Sequence, residues 1–115
     1  MSVISNTTVI SNFAATDQLE LLQRLFGSLY LSTSVYDEIQ DGLEEGYLFY
    51  SGIERWIHPF HEDGWLRLTG VSDEAEIGLL HQLPVGLHSG EASCIALAQH
   101  RSWTFLTDDN AARRE

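Results

Sequence analysis

The sequence predicts a three-layer α/β/α domain with a central, mainly parallel sheet, and three observations lead there. Short apolar stretches rich in Val, Ile and Leu alternate with stretches of helical periodicity, the pattern of strands joined by crossover helices. A chain of 115 residues, 43% hydrophobic and 20% charged, suits one globular domain over residues 1–115 with its own core. Polar residues, several of them acidic, recur where the strands end.

The run Met1 to Ile10 favours a strand at Val3-Ile4 that stops in a polar turn at Ser5-Asn6-Thr7-Thr8. From Thr16 to Phe26, residues Leu19, Leu22, Leu25 and Phe26 recur at helical spacing, with Asp17 and Glu20 spaced as a capping box and Gly27 as the stop. Leu29-Tyr30-Leu31 reads as a second strand, and Ser34 is placed to cap a helix carrying Val35, Glu38, Ile39 and Leu43 until Gly46. The middle, Tyr47 to Leu68, holds Tyr47, Phe49, Tyr50, Trp56, Phe60 and Trp65 with no clean period; a helix is expected around Tyr50 to Trp56, then extended chain. Ser72 or Asp73 caps a helix through Leu83, with Asp73 and Glu76 spaced as a capping box and Ile77, Leu80 and Leu83 on one stripe. Pro84 and Gly86 mark a loop, and Gly90 opens a helix whose Ala92, Ile95, Ala96 and Ala98 let it approach a sheet closely. Trp103 to Leu106 makes a further strand, which runs into Thr107-Asp108-Asp109-Asn110 and a last turn of helix.

Charge narrows the function. Seventeen acidic residues face six basic ones, all arginine, for a net charge of -11. Unaided binding to a polyanion is disfavoured, so a nucleic-acid role requires a local basic patch, bound cations or a partner that supplies positive charge. The single cysteine, Cys94, cannot form an internal disulfide and reads as buried packing. No apolar stretch is long enough for a membrane span and the N-terminus lacks a signal-peptide layout, so a soluble, cytoplasmic protein is expected.

In open parallel sheets, functional groups gather beyond the carboxyl ends of the strands. Asn6, Glu38, Glu91 and the pair Asp108-Asp109 fall there. Carboxylates converging on one cleft repel one another unless a cation neutralises them, and oxygen-only ligands suit Mg²⁺ or Mn²⁺.

At these residues the sequence resembles the PIN-domain ribonucleases, including the VapC-like toxins of bacterial toxin-antitoxin pairs. The matching stretches are Val3 to Ile10, Leu31 to Glu38, Gly90 to Ala98 and Phe105 to Arg113, of which Gly90-Glu91-Ala92 and the terminal Asp pair are the most specific. The resemblance implies a metal-dependent endoribonuclease with Glu38, Glu91 and Asp109 as catalytic residues. Asn6, Glu38, Glu91, Asp108 and Asp109 would form the Mg²⁺ or Mn²⁺ site. It implies that Thr8 supplies a hydroxyl to a ligating carboxylate, and that an antitoxin protein and a second copy of the chain are partners beside the RNA substrate. Arg113 and Arg114, just past the acidic pair, are placed either to contact a phosphate or simply to favour the end of the helix. The chain departs from the family twice. It has Asn6 where members most often have aspartate, and it stops at Glu115, so the C-terminal helix and small edge strand of the family are expected to be lacking.

Bland readings stand beside these. An acidic residue in the first turn of a helix complements its dipole, and Asp108-Asp109-Asn110 can simply cap a helix. His58 and His61, beside Glu62 and Asp63, read as a solvated loop rather than a transition-metal site, and the aromatic group reads as core or partner surface rather than base-stacking platform. The rival functions are a catalytically disabled interaction module of the same fold and a phosphoacceptor receiver domain. The receiver is the poorer match, because its acidic pair follows the first strand and its site includes a lysine, which this chain lacks.

Overall fold

A computed structural model describes residues 2–47, 49–83 and 89–107. Its elements are β1 (Val3–Ser5), α1 (Thr7–Ala15), α2 (Leu19–Phe26), β2 (Leu29–Ser32), α3 (Thr33–Glu44), α4 (Phe49–Glu54), β3 (Ile57–His58), β4 (Leu66–Thr69), α5 (Glu74–Gln82), α6 (Ser89–Arg101) and β5 (Thr104–Leu106). The strands form one sheet in the order β3-β4-β2-β1-β5, and every pairing is parallel. All of β1 is buried, the mark of a central strand covered on both faces. Helix α6 packs on α3 and α5 and against β1, β2 and β5, whereas α1 packs on α2 and α4. The α/β class with a parallel sheet is thus as the sequence predicts. Among the described residues, no helix is long and apolar enough to cross a membrane.

Four local expectations are corrected. The polar group after β1 starts a helix rather than a turn: Asn6 caps α1, its Oδ1 accepting from the Val9 N–H at 3.0 Å, and this cap overrides the strand preference of Val9 and Ile10. The helix expected from Thr16 begins later, because Asp17 adopts a left-handed conformation with φ 57°, where its N–H closes α1 on Ala14 and its side chain cannot cap α2. Helix α3 is capped by Ser32 rather than Ser34, the Ser32 Oγ accepting from the Val35 N–H at 3.1 Å. On α5 the capping box of Asp73 and Glu76 forms as expected, but Glu76 is buried at 1% exposure and Ile77 is 42% exposed, so the buried stripe differs from the apolar one. The loop expected at Pro84 and Gly86 lies outside the described residues.

The middle segment resolves into α4, β3 and β4, and its aromatics divide. Trp65 is buried in the core, Tyr50 and Trp56 pack against it, and Tyr47 and Phe60 are exposed; the Phe49 side chain lies outside the described residues. His58 lies half-buried in β3 and His61 is exposed. The short parallel connection from β3 to β4 folds back so tightly that a Cβ on Gly64 would meet Trp56 O at 2.5 Å and His58 N at 2.6 Å. Both are backbone atoms and cannot swing aside. Gly64→Ala is therefore expected to cost about 1–3 kcal/mol, read as a lower urea midpoint. An unchanged midpoint would mean that the connection has room to relax.

Candidate active site

Chain connectivity creates a crevice beside β1. From β1 the chain crosses to β2 on one side, and after α6 it returns to β5 on the other, so the strand order reverses at β1. Asn6 closes that crevice. Its backbone N–H donates to Leu106 O at 3.2 Å and its Nδ2 donates to Thr107 Oγ1 at 2.9 Å, while Oδ1 caps α1. At 1% exposure, both halves of the Asn6 amide are engaged in tying the end of β1 to α1 and to the residue after β5.

The second contribution comes from β2 and α3. Once Ser32 has capped α3, the second turn of that helix carries Glu38 over the same sheet end. The Thr7 hydroxyl, on the first residue of α1, donates to Glu38 Oε2. Helix α6 completes the arrangement. Gly90, buried in its first turn, lies directly under the Glu38 carboxylate, where a Cβ would come within 2.7 Å of Oε1 and 2.9 Å of Oε2. A larger residue there would displace the end of the Glu38 side chain, which rests on the positive end of the helix. Ser93 locks the two helices together: its hydroxyl lies 2.7 Å from Ser32 Oγ and donates to Gly90 O at 2.8 Å.

The product is a cleft of about 320 Å³ lined by Asn6, Thr7, Thr8, Glu38 and Glu91. Of the residues singled out in the sequence, Asn6, Thr8, Glu38 and Glu91 are brought together here. The hydroxyl that reaches the Glu38 carboxylate is that of Thr7, one residue before the Thr8 of the resemblance. Thr8 is exposed at the rim. Asp108, Asp109, Arg113 and Arg114 lie outside the described residues, and Thr107 is the last residue before them. Thr7, Ser32, Ser93 and the close approach of Gly90 were missed by sequence reasoning. The signals were there, in a hydroxyl beside Asn6 and a serine three residues after Gly90, but hydroxyls are too common to single out without their partners.

The donor set is oxygen only, as a hard divalent cation requires. Among the described residues, no three His, Cys, Asp or Glu side chains form a metal-sized group, so Glu38 and Glu91 are the pair around which such a site would be built. Cys94 is excluded from the chemistry. It is fully buried, its Sγ lies 3.4 Å from Ser5 O, and burial pushes its thiol up to about 12, so it stays protonated.

An acidic cleft at the carboxyl ends of a parallel sheet, beside the strand where the order reverses, is the ligand-binding position of an open α/β domain. The family model DUF3368, described as a PIN domain, matches residues 2–115, and the chain belongs to that family. PIN domains are generally nucleases that act on nucleic acid and usually use divalent metals. No match to a curated protein or to a solved structure was found.

Proposed function

We propose that the chain is a Mg²⁺- or Mn²⁺-dependent endoribonuclease, the toxin component of a toxin-antitoxin pair. The observation that carries this reading is the convergence of Glu38 and Glu91 on one oxygen-lined cleft at the carboxyl ends of β1 and β2. When bound, the cation supplies charge neutralisation and a lowered pKa for water at the scissile phosphate. The chain's own residues hold that arrangement. Glu38 is oriented by the Thr7 hydroxyl and by its seat on Gly90, and Glu91 projects from the same turn of α6. Asp109, with Asp108 beside it, completes the ligand set in this reading, and Arg113 and Arg114 contact the substrate phosphate. For a chain of net charge -11, a bound cation also offsets repulsion between protein and RNA.

Calorimetric titration of Mn²⁺ into the 115-residue chain, with Glu91→Gln as control, tests this directly. Saturable binding that disappears in the control, together with divalent-dependent cleavage of RNA, is the expected result. A folded chain that binds no Mn²⁺ overturns the nuclease reading in favour of a disabled interaction module. Asn6 favours that second reading, because a neutral amide already engaged at both ends attracts a cation less than an aspartate would.

Two substitutions sharpen the site. Gly90→Ala pushes a methyl into the Glu38 carboxylate and is expected to weaken Mn²⁺ binding about 10–100-fold with little change in melting temperature, the size of effect seen when a ligand's support is removed. Undiminished affinity would mean that Glu38 can move without consequence. Asn6→Asp keeps a good helix cap and can accept from Thr107 Oγ1, so it is expected to fold normally and to raise Mn²⁺ affinity about tenfold through the added charge. No gain would put Asn6 outside the ligand set.

A further inference from the structure

Two hollows on the described surface are lined by residues other than those of the acidic cleft. One of about 370 Å³ is lined by Asp17, Glu20, Gly52, Arg55, Trp56 and Trp65 among others, between α2 and α4. A second, of about 590 Å³, is formed by Arg55, Trp56, Phe60, His61, Glu62 and Asp63 on the β3 to β4 connection. Arg55 and Trp56 line both hollows, which therefore adjoin as one grooved surface. Trp56 and Trp65 precede β3 and β4, and Trp65 O accepts from the N–H of Leu29, the first residue of β2. The hollows thus begin at the amino ends of β2, β3 and β4 and reach along the β3 to β4 connection to Phe60, whose ring centroid lies 5.6 Å from that of Tyr36 on α3.

Its chemistry is specific. Trp65, 6% exposed, forms a floor, Trp56 is partly buried, and Phe60 stands 57% exposed on the far side. Such aromatics are the anchors of protein interfaces, where they contribute a large contact area at little entropic cost. Around them stand four carboxylates, Asp17, Glu20, Glu62 and Asp63, against the single guanidinium of Arg55. That guanidinium already lies over the Trp56 ring, 5.3 Å from its centroid, and Glu20 pairs with Arg24 on the exposed face of α2. His61 is the remaining titratable group. An acidic rim repels phosphates and draws in cations.

We propose that this groove docks a cationic, partly apolar peptide segment of a partner protein. Arginine or lysine side chains of the segment meet the rim, and its apolar side chains lie on Trp56 and Phe60. The inference does not rest on the nuclease reading, since none of the residues that line these hollows lines the acidic cleft.

Selection from a random-peptide display library against the full chain provides the probe. The expected pool is enriched in peptides of net positive charge with apolar residues between the basic ones. A synthesised member of that pool should lose about tenfold or more of its affinity for Gly52→Leu, which places a side chain into the groove from a position where an added Cβ meets nothing within 4 Å. The double variant Glu62→Lys, Asp63→Lys, on exposed positions, should lose as much, with both proteins melting as the parent does. A pool dominated by neutral or acidic peptides overturns the proposal, as does a cationic peptide that binds Gly52→Leu with undiminished affinity. Mn²⁺ affinity, measured on the same variants, should not change.

Discussion

Replacing Arg101 with leucine is expected to destabilise the domain by about 3–5 kcal/mol, because it strands a buried carboxylate. Glu76 is 1% exposed, and Arg101 donates to it twice, from Nε to Oε2 at 2.6 Å and from Nη2 to Oε1 at 3.2 Å. The same guanidinium reaches Thr69 Oγ1 at 2.8 Å and Gly70 O at 3.2 Å at the end of β4, and it lies 5.0 Å from the Trp103 ring centroid. His100 Nδ1 at 2.8 Å and the backbone N–H groups of Ser72 and Asp73 at 3.2 and 3.4 Å complete the shell around the carboxylate. One side chain thus ties α5, α6 and β4 together. Leucine would keep some packing but leave Glu76 without its main counter-charge.

The same contact sets an acid limit. Hydrogen bonding to Arg101 is the main reason that Glu76 is held at about 2, below its ordinary 4.5; burial opposes the shift, and the bonds from His100, Ser72 and Asp73 assist it. A carboxylate whose folded pKa is depressed contributes stability in full above its unfolded value and loses it as pH falls through the folded one. The parent protein is therefore expected to lose stability between about pH 4.5 and 2 as Glu76 takes up a proton. Glu76→Gln removes this titration, so its urea midpoint should fall less over the same window. If the parent and Arg101→Leu share one midpoint at neutral pH, the pair contributes nothing and the account fails.

Glu38→Gln is expected to weaken Mn²⁺ binding by more than about 100-fold, since loss of a ligating carboxylate should exceed the 10–100-fold cost of losing an outer partner. Divalent-dependent RNA cleavage should fall with it. Glutamine keeps the shape, an oxygen to accept from Thr7, and a group small enough to rest on Gly90, so the melting temperature should stay close to the parent's. The change removes charge and little else. Calorimetry and a cleavage assay on the same preparation separate the two effects: Mn²⁺ affinity equal to the parent's would remove Glu38 from the ligand set whatever the rate. Glu91→Gln and Asp109→Asn should behave alike if the three carboxylates act as one site.

Sequence reasoning was strongest where the signal is local. The alternation of apolar strands and helices, the capping box of Asp73 and Glu76, the helix opened at Gly90 and the strand ending at Leu106 are short-range patterns, and each appears in the fold. So does the grouping of Asn6, Glu38 and Glu91, because a parallel sheet delivers whatever follows its strands to one edge. Local reading failed where two local preferences competed, as at Asp17, whose left-handed backbone ended one helix instead of capping the next.

By itself, then, the sequence determined the α/β class, most of the helices and the acidic character of the cleft. The tertiary structure alone decided the pairings. Thr7 meets Glu38 across 31 residues, Asn6 meets Thr107 across 101, and Arg101 meets Glu76 across 25. Periodicity records which face of an element is apolar, and residue type records what a side chain can donate or accept. Which donor reaches which acceptor depends on strand order and register, and these come from packing the whole chain at once. For that reason a capping-box glutamate on α5 became half of a buried ion pair, and a threonine next to Asn6 became the support of the candidate site.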